Sequence, residues 1–202
     1  MAIRLTTYED SRNIPDLPGT NIFHSTALFR VLEQTSGYHP TLLVASEAGK
    51  PIGKLLCITR YNFRMFHFIR KTYVYGTGEY FSSRYKREEI FNEMLSYFTS
   101  RLGNDSFLIE FRNLEEPLFG YKYFRKNHYF PVKWLRVRNS IHHATIDKWM
   151  SPSRKRQIAR GLQNGATMET AKSTEEVTEF FKMLKKYYSH KIYRYLPDLN
   201  FF

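Results

Sequence analysis

The stretch TLLVASEAGKPIGKLLCITRY, residues 41–61, constrains the fold more than any other part of the chain. Two apolar runs flank a turn punctuated by Glu47, Gly49 and Pro51, the pattern of two adjacent strands. A chain with this hairpin has to contain a sheet, and the remaining elements have to supply its neighbours and its cover.

Helical cover is legible on either side. In FHSTALFRVLEQTSGYHP, Ser25 is a good N-cap, Leu28, Val31 and Leu32 form an apolar stripe, and Gly37 ends the helix. SRYKREEIFNEMLSYFTSRLG is the clearest helix, with Ile90, Met94, Leu95 and Phe98 at helical spacing and Gly103 as terminator. Between them, MFHFIRKTYVYGTGEYF reads as a strand or strand pair interrupted by Gly76 and Gly78. SFLIEFRN reads as a short strand with a central place in the sheet. The segment from Tyr123 to Asp147 continues with strand-like alternation, with Trp134, Val137 and Ile141 as inward positions. The order predicts an α/β domain over residues 1–149, with a mixed, largely antiparallel sheet flanked by helices.

A second unit is expected over 150–202. Its first helix runs from Ser151 to Asn164, with Pro152 near N1 and Gly165 at C′. A strand ATMETA follows, and then a helix opened by a capping box of Ser173 and Glu176, with Val177, Phe180, Phe181 and Leu184 on its apolar side. Helix–strand–helix buries too little by itself, so the segment reads as the start of a truncated second domain; the alternative is that it folds back on the first.

Composition narrows the function classes. The 202 residues are 42% apolar and 17% aromatic, with a formal charge of +12 and a pI near 9.7. That balance excludes disorder and points to an anionic partner: RNA, a nucleotide-linked substrate or a membrane surface. The single Cys57 lies in an apolar run and reads as a buried thiol in a reducing compartment. MAIRLTTYED lacks the apolar stretch of a secretory signal, and no run approaches the ~18 residues that span a bilayer, so the expected location is cytoplasmic.

No catalytic signature stands out. His142 and His143 are adjacent, so on a strand they face opposite ways and do not share a metal ion. Neither a Walker loop nor a Gly-x-Ser-x-Gly elbow occurs, and YGTGEY contains only Gly-x-Gly. Two features remain. Tyr73, Tyr75, Glu79, Tyr80 and Phe81 gather around Gly76 and Gly78, which suits either a substrate pocket or ordinary aromatic packing at a turn. Arg154, Lys155, Arg156 and Arg160 crowd the start of a helix, where exposed cations cost about 0.3–1 kcal/mol each. They suit a phosphate or carboxylate site, or neutralisation by acidic groups of the first domain.

Two stretches together carry a resemblance. FHSTALFRVLEQTSGYHPTLLVASEAGKPIGKLLCI resembles the N-terminal region of the Fem-type (FemAB-like) peptidoglycan-bridge aminoacyltransferases, within the GNAT-like acyl-CoA N-acyltransferase superfamily. SPSRKRQIARGLQNGATMETAKSTEEVTEFFKML resembles that family's basic helix, short strand and following helix. The resemblance implies two tandem GNAT-like domains and transfer of an acyl or aminoacyl group to an amine. It implies no permanently bound cofactor, with acyl-CoA or aminoacyl-tRNA as co-substrate, and a cell-wall-precursor-like or other anionic small-molecule acceptor.

Carried onto matching positions, His24 and Ser25 occupy the helix-start motif, Tyr75, Gly76 and Thr77 the mouth of the acceptor cleft, and Arg154, Arg156 and Arg160 the basic helix. Tyr73 and Glu79 join them as substrate-binding candidates from the aromatic cluster, and the general base stays open among Glu79, Glu110 and His128. The sequence departs from the family at Leu28, where a Trp is common, and at Tyr75-Gly76-Thr77, where Arg-Gly-Pro is common. Arg/Gln-x-x-Gly-x-Gly/Ala, the donor loop of such enzymes, is missing, and QTSGYH matches only its first half. Three readings therefore stand: a Fem-like N-acyltransferase, inactive if its second domain is incomplete; a non-catalytic anion- or RNA-binding module; and a half-protein that pairs with another chain or forms a homo-oligomer.

Overall fold

The computed structural model describes residues 3–61, 70–82, 86–102, 106–113, 118–132, 145–189 and 196–202. It divides into two compact units, Met1–Phe130 with Lys185–Phe202, and Pro131–Leu184.

The first unit is built on a six-stranded sheet. Strands β1 (Arg4–Tyr8), β2 (Tyr38–Glu47), β3 (Lys50–Tyr61) and β4 (Arg70–Tyr75) pair antiparallel in that order. The two-residue β5 (Glu79–Tyr80) pairs with β3 at Gly53 and Lys54. β6 (Leu108–Arg112) adds to β4 in parallel, with Tyr73 opposite Glu110 and Tyr75 opposite Arg112. The expected mixed, largely antiparallel sheet flanked by helices is what forms.

One helix packs on each face of the central hairpin, which is why β2 and β3 read as unbroken apolar runs. Helix α1 (Thr26–Gln34) brings Phe29 and Leu32 against Leu42, Val44, Leu56 and Ile58. Helix α2 (Arg87–Leu102) brings Ile90, Met94 and Phe98 against Leu43, Leu55, Cys57 and Val74 on the other face. Burial pushes the Cys57 thiol far up from its ordinary value. The capping expected of Ser25 is present, its Oγ accepting from the Leu28 amide at 3.1 Å. At the other end of α1, Asp198 accepts from the Ser36 amide at 2.8 Å and Asn200 donates to the Gln34 carbonyl at 3.2 Å.

Three expectations need correction. Residues Tyr121–Lys126 form a short helix, α3, where strand-like alternation was expected to continue. Its Phe124 lies 5.0 Å from both Phe91 and Phe111, so aromatic packing overrides the local pattern. Trp134, Val137 and Ile141 lie outside the described residues. β6 is not central: among the described residues it ends the strand order, and Leu108 and Arg112 are exposed. ATMETA forms no strand, since residues 166–171 are exposed and have no ladder partner among the described residues.

Within the second unit, α4 (Ile146–Trp149) precedes α5 (Pro152–Gln163), whose N-cap Ser151 accepts from the Arg154 amide. Gly165, at φ +77°, follows its end as expected. Helix α6 (Thr174–Tyr188) runs on past the unit's last residue, Leu184. It starts with a modified capping box: Ser173 accepts from the Glu176 amide, while Glu176 accepts from the Lys172 amide at 2.6 Å, one residue earlier than in the standard box. Neither α5 nor α6 contains a buried residue. No helix among the described residues is long and apolar enough to cross a membrane.

Candidate functional site

Between the β3–β4 pairing at Cys57 and the β3–β5 pairing at Lys54, β3 keeps its pairing with β2 but lacks a ladder neighbour on its other edge, because the chain turns away through Gly76-Thr77-Gly78. The His24 ring fills this gap. It is fully buried, with the Leu56 amide 3.1 Å from Nδ1 and the Gly78 amide 3.2 Å from Nε2. Both partners are donors, and a neutral imidazole accepts at one nitrogen in each tautomer while an imidazolium accepts at neither. Burial pushes the His24 pKa down to about 4, Glu79 opposing and Lys54 assisting. The ring is a neutral plug in the sheet, closed to solvent.

Beside it, Lys54 and Glu79 hold the approach to α1. The Lys54 ammonium lies 3.2 Å from Glu79 Oε2 and donates to the Pro18 carbonyl at 2.7 Å. Glu79 Oε1 accepts from the amides of Thr20 and Asn21 at 2.8 and 3.1 Å. Burial works against the Glu79 charge, but the Asn21 and Thr20 amides and Lys54 together hold its carboxyl below the usual range. A carboxylate held this way is a poor general base. Gly19 makes the approach feasible: it sits at φ +104°, and a Cβ there would lie 2.3 Å from the Glu79 carboxyl carbon. A shallow, largely polar cleft of about 270 Å³ opens here between Asn21, Glu79, Tyr80, Arg87 and Phe119.

Farther along the same α1-side face of the sheet lies the more distinctive chemistry. Tyr73 and Tyr75 point the same way along β4, and the parallel register sets Glu110 and Arg112 of β6 beside them. Arg112 donates from Nε to Glu110 at 2.7 Å and from a terminal nitrogen to the Tyr75 hydroxyl at 2.9 Å. Its guanidinium lies 4.7 Å from the Tyr73 ring centre and 5.3 Å from that of Tyr75. Phe23 stacks on Tyr75 at 5.5 Å. Partial burial opposes the Arg112 charge, but the bond to Glu110 and the two tyrosines raise its pKa on balance.

The structure thus brings together Tyr73 and Tyr75, and separately gathers His24, Gly76 and Glu79 around the sheet gap. Ser25 sits between them, its hydroxyl committed to the α1 cap and to the Ile22 carbonyl. The Gly76 and Gly78 amides are both engaged, the first by the Arg112 carbonyl at 2.9 Å and the second by His24. His128 is exposed, at φ +65° after α3. In the second unit Arg154, Arg156 and Arg160 are exposed on α5, and no ion pair among the described residues involves them. Arg112, Phe23 and Lys54 were not anticipated. The alternation Leu108, Glu110, Arg112 was visible, but its meaning depends on a parallel register with β4 that local sequence does not encode.

No protein-family model matches the sequence, and no curated protein matches it. Solved structures do resemble it in fold. An aminoglycoside acetyltransferase, HMB0005, from an uncultured soil metagenomic sample superposes with a TM-score of 0.46 at 11% identity, over 70% of this chain and 99% of its own. Ribosomal-protein-alanine N-acetyltransferase from Brucella melitensis biovar Abortus 2308 gives 0.43 at 11%, over 69% and 100%. Glucosamine-6-phosphate N-acetyltransferase from Arabidopsis thaliana gives 0.42 at 9%, over 70% and 99%.

Proposed function

We propose that this chain is a Fem-related N-acyltransferase whose β4–β6 face holds an amine acceptor. The observation that carries this reading is the parallel pairing of β4 with β6, which assembles Tyr73, Tyr75, Glu110 and Arg112 on one partly open face. The acceptor amine attacks the carbonyl of an activated acyl group, an acyl-CoA thioester or an aminoacyl-tRNA ester, and the thiol or ribose hydroxyl leaves. The protein's contribution is positioning and stabilisation of the tetrahedral oxyanion, worth several orders of magnitude when well aligned. The Gly76 and Gly78 amides are engaged internally and are not open to donor phosphates. Taken by itself, the second unit is read as the opening of a second GNAT-like domain, with Arg154, Arg156 and Arg160 as candidate phosphate contacts.

The test is transfer itself. The chain is incubated with acyl-CoA and an amine panel, and separately with aminoacyl-tRNA, and products are followed by mass spectrometry together with free thiol or deacylated tRNA. Acylated amine formed faster than in Arg112→Ala supports the proposal, and no acylated amine from either donor rejects it.

A second reading, polyanion binding without catalysis, is favoured by one observation: Arg154, Lys155, Arg156 and Arg160 are all exposed, with no carboxylate partner among the described residues.

A further inference from the structure

From the ion pair on the β4–β6 face we infer the class of acceptor: a ligand carrying both a carboxylate and an amine, an amino acid or a peptide end. This rests on the acyltransferase reading for its use, though not for its geometry.

Arg112 is 43% exposed in its side chain and Glu110 is 38% exposed, yet the guanidinium is fixed from several directions. Nε is held by Glu110, one terminal N–H by the Tyr75 hydroxyl, and the plane lies near the rings of Tyr73 and Tyr75. Free arginine side chains lose substantial rotamer freedom when they bind a ligand, and this one has already lost it. A guanidinium carries five N–H donors. Two are used, which leaves three for a ligand. Glu110 spends Oε1 on Arg112 and has no partner for Oε2 among the described residues. The Tyr73 hydroxyl likewise has no hydrogen-bond partner among them.

Net charge then decides between ligand classes. The pair sums to zero, so a simple anion meets Glu110 as well as Arg112, and a simple cation meets Arg112 as well as Glu110. A zwitterion laid antiparallel to the pair satisfies both open valences, its carboxylate on the arginine fork and the Tyr73 hydroxyl, its amine on Glu110 Oε2. In that pose the ligand's amine lies against the Glu110 carboxylate, which orients it.

The experiment uses the whole chain and three probes of one size: L-alanine, L-alaninamide and N-acetyl-L-alanine, titrated by amide NMR. L-Alanine is expected to bind about fivefold more tightly than either blocked probe, the worth of one exposed charge pair. Glu110→Gln should abolish the preference for L-alanine over N-acetyl-L-alanine while leaving the affinity for N-acetyl-L-alanine at or above its original value. Arg112→Lys should weaken both while the melting temperature stays near wild type, because the ammonium cannot offer the planar fork. Equal affinity for all three probes, binding of none, or a preference unchanged in Glu110→Gln overturns the inference. Selectivity for L-alanine without any acyl transfer overturns the transferase reading alone. Equally fast transfer to amines lacking a carboxylate overturns this inference alone.

Discussion

The ammonium of Lys54, only 4% exposed, lies 3.2 Å from the Glu79 carboxylate and ties β3 to the Pro18–Asn21 approach of helix α1. Both charges are largely out of water, so the pair contributes most when intact and costs most when half is removed. Lys54→Met should lower stability by about 3–5 kcal/mol, read from urea unfolding midpoints. Lys54→Met with Glu79→Gln should recover part of that loss, because no buried charge is then left alone. A single variant as stable as wild type would show that the clamp carries little.

His24 makes stability fall on mild acidification. Its folded pKa, about 4, lies below the ordinary value of 6.5, so the unfolded chain binds the proton first. The contribution is complete above pH 6.5 and is lost as pH falls toward 4, by about 3 kcal/mol in all. Glu79, with its carboxyl held below 4.5, adds its own loss below that point and not above it. Melting temperatures between pH 6.5 and 4.5 should therefore decline in the wild type and stay flat in His24→Asn, at a lower overall level.

Gly19 should tolerate no side chain. A Cβ there meets the Glu79 carboxylate at 2.3–2.4 Å, and the backbone already sits at φ +104°. Gly19→Ala is expected to cost about 2 kcal/mol. Amide exchange at Thr20 and Asn21 should accelerate in the same variant, since both donate to Glu79. Unchanged exchange at those two amides would disprove the packing argument.

The α5 cations give a test that depends on salt. If a nucleic acid contacts this helix through phosphates, log affinity falls linearly with log salt, with a slope of about −0.9 per phosphate on duplexes and about −0.7 on single strands. Arg154→Ala with Arg156→Ala should reduce the slope by about 1.5 and leave the fold intact, because both side chains are exposed. An unaltered slope would remove α5 from any such interface.

Local chemistry was enough to place the framework. Ser25, the Gly49 turn, the apolar spacing of Ile90, Met94 and Phe98, and Pro152 followed by Gly165 are signals that act within a few residues, and each marks the element it predicts. Signals that depend on distant partners were misread. Tyr121–Lys126 folds as a helix because Phe124 finds Phe91 and Phe111, and ATMETA has no ladder partner among the described residues.

The same division runs through the site. Sequence alone singled out the tyrosines, the two glycines and Glu79, because aromatic clustering around a glycine pair is written in composition and order, while His24 was singled out by the resemblance of its helix-start motif to the Fem-type family. Only tertiary structure decided what they do. His24 becomes a plug because the sheet opens at Leu56 and Gly78, Glu79 becomes a clamp because Lys54 is buried beside it, and Tyr73 and Tyr75 gain Arg112 through a parallel register. Hydrogen-bond partners and charge neighbours far apart in the chain, such as Thr20 and Glu79, 59 residues apart, are set by packing, which no local pattern encodes.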